Sequence, residues 1–110
     1  MPGYTYVLRN GTGFKTQRYL VWRDSYDAAR ADRPQWMKDN PFWAVTAIEP
    51  ATLEDFAVAL RDHDWYHEMS DDYRAHRAGA ARYEELRRVA ESLGPEAQTM
   101  LQEYPKTLRT

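Results

Sequence analysis

The chain has 110 residues, 43% of them hydrophobic and 14% aromatic, enough for one self-supporting core and too many for a disordered polymer. It contains no cysteine, which excludes disulfide frameworks, thiolate metal sites and cysteine nucleophiles together. The net charge of −2 hides a strong asymmetry: residues 1–23 carry +4, residues 24–53 carry −2, residues 54–72 carry −6 and the remainder +2. Such fields steer partners and say little about fold.

The opening stretch MPGYTYVLRN has no apolar signal core, and no run approaches the roughly 18 apolar residues of a membrane span. A cytoplasmic protein without membrane association is expected. Tyr4–Arg9 and Phe14–Arg23 are β-rich, and Asn10-Gly11-Thr12-Gly13 between them tolerates the positive φ of a hairpin turn. In the second strand Phe14, Thr16, Arg18, Leu20 and Trp22 share one face, and Lys15, Gln17, Tyr19, Val21 and Arg23 the other. Asp24 or Ser25 N-caps a helix that Pro34 is expected to end or kink. Phe42–Ile48 follows the Asn40-Pro41 breaker and is apolar on both faces, the pattern of a strand covered on both sides or central in its sheet.

From Pro50 the pattern is helical. Thr52 with Asp55 forms a capping-box signature, and Leu53, Phe56, Ala57 and Leu60 give an amphipathic stripe. Ser70 with Asp71 and Asp72 signals another helix start, Gly79 a weak point, and Gly94-Pro95 a stop near Leu93. Ala97, Met100, Leu101 and Tyr104 form a last apolar face. The fold class expected is α+β in a single domain. An N-terminal hairpin and a third strand form a small antiparallel sheet (ββαβ, residues 1–49), followed by a helical half (50–104) and a tail from Pro105.

The three histidines fall within DHDWYHEMSDDYRAH. His63 and His67 are four apart and lie on one side of a helix, with Asp64 between them. The spacing is a shortened relative of H-E-x-x-H, in which two imidazoles hold zinc and the carboxylate activates water. His76 and the nearby acids are the candidate further ligands. Asp is a methylene shorter than Glu, and the apolar stripe from Leu60 leads directly to position 63, so structural or surface histidines are the better reading. No cofactor is expected. Phosphate-binding glycine loops and the serine-hydrolase elbow are absent. Asp71/Asp72 and Glu84/Glu85 read as helix-start and solvated-face residues more readily than as catalytic dyads.

Two surfaces remain. Arg9, Lys15, Arg18 and Arg23 interleave with Tyr4, Tyr6, Phe14, Tyr19 and Trp22, a pattern suited to single-stranded nucleic acid, although a pI near 5.9 is low for a dedicated binder. The acidic stretch sets Asp62, Asp64, Glu68, Asp71 and Asp72 around Trp65 and Tyr66. Rings that anchor and charges that select are features of protein interfaces. A non-enzymatic protein-binding module using these seven residues against a basic partner is therefore expected. The alternatives are a metal-dependent hydrolase on H-D-x-x-H and nucleic-acid binding by the hairpin.

The segment Asp62-His63-Asp64-Trp65-Tyr66, continued through Ser70-Asp71-Asp72 to Arg74 and Gly79, resembles small uncharacterised proteins of bacteriophages and prophages. The resemblance covers about twenty residues. It implies a phage accessory protein acting in the host cytoplasm as a stoichiometric binder, in the manner of an anti-CRISPR inhibitor of host defence.

Overall fold

The computed structural model describes residues 3–10, 16–69 and 77–107, with side chains described through Trp65, from Ala80 and through Glu103 in the respective helices. Strands β1 (Gly3–Asn10) and β2 (Thr16–Trp22) pair antiparallel, with Tyr6 opposite Tyr19 and Gly3 opposite Trp22. The turn residues Gly11–Gly13, with Phe14 and Lys15, lie outside the described residues. Strand β3 (Trp43–Pro50) pairs antiparallel with the other side of β1, so the sheet order is β2-β1-β3. This is the expected α+β architecture with one correction: β1 is central and β3 is an edge. The cause lies in β1, where Tyr6 and Thr5 on opposite faces are both fully buried, whereas β3 exposes Ala44, Thr46 and Glu49. The pairing between β1 and β3 also shifts register between Val7 and Leu8.

Helices cover both faces. Helix α1 (Tyr26–Asp39) is N-capped by Ser25, whose Oγ accepts from the Ala28 N–H at 3.0 Å. It continues through Pro34, against expectation. The proline and Arg30, one turn earlier, both face solvent, so the carbonyl that loses its N–H partner can be hydrated. Under α1 lie Tyr4, Tyr6, Leu8, Val21, Ala29 and Val45, with Trp36, Met37 and Trp43 packed at the margin. The Tyr6 hydroxyl points its proton between the Ala29 carbonyl (2.8 Å) and the Asp32 carboxylate (2.9 Å), and burial together with Asp32 pushes its pKa well up.

The opposite face carries α2 (Leu53–Met69), α3 (Arg77–Leu93) and α4 (Pro95–Thr107). Their core joins Leu20 to Phe56, Leu60, Leu86, Val89 and Leu101. Leu20 thus faces this core and Val21 the other, as the alternation of β2 requires. Gly79 lies within α3 without interrupting it. Gly94, with φ +108°, ends α3, and Pro95 begins α4. Gly3 permits close approach of β1 to α3, because a Cβ there would stand 3.1 Å from Val89 Cγ1. No helix among the described residues is long and apolar enough to cross a membrane.

Candidate functional site

Helix α2 begins with the capping box the sequence announces. Asp55 N–H donates to Thr52 Oγ1 and Thr52 N–H donates to Asp55 Oδ2, both at 3.1 Å. Asp55 also accepts from Thr5 Oγ1 at 2.8 Å and from Arg18 Nε at 2.7 Å, which ties the helix start to β1 and β2. Burial raises the energy of the charged form, but hydrogen bonds from Arg18, Thr52 and Thr5 outweigh it and hold the Asp55 carboxyl at about 2. Arg18 reaches Glu49 on β3 as well, at 2.6 Å, and the two carboxylates raise its pKa further. Asp55, expected from the sequence as half of a capping box, is therefore also a joint between three elements.

The second half of α2 is divided. Helical geometry turns Ala59, Leu60, His63 and Asp64 inward and leaves Glu54, Asp62 and Trp65 along the solvent side. Trp65 is 57% exposed, and Asp62 makes no ion pair among the described residues. Asp64 corrects an expectation: it is only 5% exposed, so its carboxylate is not part of the outward set, and its Oδ1 is buried without a hydrogen-bond partner among the described residues. The side chains of Tyr66, His67 and Glu68, and residues Asp71, Asp72 and His76 altogether, lie outside the described ones.

His63 is 4% exposed and its ring centroid stands 6.1 Å from that of Tyr83, the placement of a packed histidine. Among the described residues, no three histidine or carboxylate side chains converge on a point that a metal would occupy. Two of the hairpin's four basic residues are engaged within the protein. Arg18 is engaged by Asp55 and Glu49, and Arg23 by Asp32 (2.6 Å) and Glu85 (3.3 Å). Tyr4 and Tyr6 are core residues, and the Arg88 guanidinium stacks 4.9 Å above Trp22.

One cleft, missed in the sequence, brings all layers together. It has a volume of about 600 Å³ and is walled by Tyr19, Trp36 and Trp43 on the α1 side and by Asp62, His63 and Arg82 on the other. Trp36 and Trp43 flank Asn40-Pro41, where α1 ends and β3 begins. That breaker is the signal that would have placed both indoles at one end of the sheet.

No protein-family model, curated protein or solved structure matches the chain.

Proposed function

We propose that this protein is a non-enzymatic protein-binding module whose contact face is the solvent side of the second half of α2, directed at a basic surface. The observation that carries this reading is Trp65, a large ring 57% exposed on the same side of the helix as the unpaired Asp62 carboxylate. Exposed tryptophans beside unspent charge are the composition of interface hot spots, where the ring supplies affinity and the charge supplies orientation and on-rate. Tyr66, Glu68, Asp71 and Asp72 extend the face in sequence. Taken with the resemblance to phage and prophage proteins, the module is a stoichiometric inhibitor that occupies a cationic surface of a host defence protein.

The test is capture from a bacterial lysate by the wild-type chain, by Trp65→Ala and by Asp71→Lys combined with Asp72→Lys. One protein retained in stoichiometric amount by wild type is expected, with retention falling roughly 30-fold in Trp65→Ala, the scale of a hot-spot truncation. A partner held equally by all three proteins refutes the proposed face.

A further inference from the structure

We infer that the cleft between α1 and α2 receives an arginine side chain of the protein partner, its guanidinium set against Trp36 and Trp43 and paired with Asp62. The inference rests on the protein-binding reading above and names the partner's anchor.

The walls are preorganised. The Trp36 ring meets Tyr6 edge-on at 5.7 Å, and Tyr6 is fully buried and bonded to Ala29, so the indole is braced from beneath. Tyr19 lies 5.5 Å from Trp36 at an interplanar angle of 46°, so the two rings touch and brace one wall of the cleft. Its position is fixed by the Arg82 guanidinium, 4.4 Å from the Tyr19 ring centroid. Indole faces that border a cleft attract a cation, most strongly once it is desolvated.

Charge selects the same occupant. Arg82, the cation in the cleft wall, is already neutralised by Glu85 at 2.6 Å and donates to the Leu20 carbonyl at 2.7 Å. Asp62 has no such counterpart among the described residues, so it leaves the cleft with an unspent negative charge. A carboxylate or phosphate entering would meet Asp62 like to like.

Arginine fits better than lysine because its planar guanidinium stacks on rings and pairs with a carboxylate in the same pose, while an ammonium holds its water more tightly. The chain uses this contact itself, with Arg82 on Tyr19 and Arg88 on Trp22.

The experiment follows the four indole N–H signals of the ¹⁵N-labelled full chain during titration with acetyl-Gly-Arg-Gly-amide. Saturable shifts at Trp36 and Trp43 are expected in the millimolar range, with Trp22 and Trp65 unmoved. The lysine tripeptide is expected to bind several-fold more weakly and the glutamate tripeptide not to bind. Asp62→Asn and Trp43→Leu, the latter read at Trp36, are each expected to weaken arginine binding by about tenfold, the worth of one ion pair or one stacked ring. Superposition of the unbound spectra elsewhere verifies their folds. No saturable shift at Trp36 and Trp43, equal binding of the glutamate peptide, or unchanged affinity in Asp62→Asn overturns the inference. If the peptides fail while Trp65-dependent capture of a protein persists, the cleft is wrong and the binding module stands. If they bind and no protein is captured, the cleft stands and the module falls.

Discussion

Asp55 and Asp62 are the same residue, seven positions apart on one helix and nearly superimposed when viewed down its axis. Asp55 is 8% exposed, whereas Asp62 faces solvent. The helix angle does not separate them; what the sheet offers opposite each one does. At the start of α2 the sheet presents Thr5 and Arg18, and the carboxylate closes a joint between three elements. Two turns later the sheet gives way to the aromatic cleft, and the carboxylate is left for something else. Acids in one run of sequence therefore divide into structural and available groups according to the neighbouring layer.

The largest expected effect breaks the structural member. Asp55→Ala removes the partner of Arg18, the acceptor of Thr5 and half of the capping box. Removing one member of a buried pair costs roughly 3 kcal/mol, towards the low end of the usual range because Arg18 is partly solvated. A urea unfolding curve with its midpoint lowered and its slope unchanged is the expected result. Acid provides a milder version. The Asp55 carboxyl is held at about 2 against an ordinary 3.8, so its contribution is complete above 3.8 and is lost as pH falls towards 2. That depression is worth about 2 kcal/mol. Wild type is expected to lose this increment across that window, and Asp55→Asn to show an acid profile flatter by the same amount.

The same contrast explains what the sequence made legible. Hairpin, capping box, apolar stripe and Gly94-Pro95 boundary are local signals, each written in residues a few positions apart, and the structure contains each of them within its described part. The central place of β1 was not legible. Tyr4 and Tyr6 look amphipathic in isolation, and it takes α1 over their face, with α2 and α3 over the face of Gly3 and Thr5, to bury the strand on both sides. Asp55 was legible as a cap but not as a joint, because its partner Arg18 is 37 residues away, a separation that composition and periodicity do not register. The cleft escaped for the same reason, since its rings come from β2, α1 and β3 and its carboxylate from α2.

Asp64 sharpens the comparison from a third position. It is buried like Asp55 but, among the described residues, lacks that residue's joint and leaves Oδ1 unsatisfied. An orphaned polar oxygen costs about 1–3 kcal/mol, and replacing it with an apolar group of similar volume recovers part of that. Asp64→Leu is expected to raise unfolding stability by about 1 kcal/mol. A loss of that size would mean that the carboxylate is satisfied in solution and belongs with Asp55.

The smallest effect is the most discriminating. Asp62→Asn keeps the shape while removing the charge and exchanging one acceptor oxygen for a donor, at a position with no ion pair among the described residues. Its stability is expected to stay within about 0.5 kcal/mol of wild type, the range of surface substitutions that touch no special feature. Asp55→Asn, chemically the identical change, is expected to cost several times more. Combined in one chain, the two changes are expected to add without a coupling energy, since each carboxylate interacts with different groups. A cost at Asp62 comparable to that at Asp55 would place its charge inside the protein's own electrostatic framework. The cleft would then hold no unspent carboxylate, and a guanidinium from a partner would have nothing to pair with.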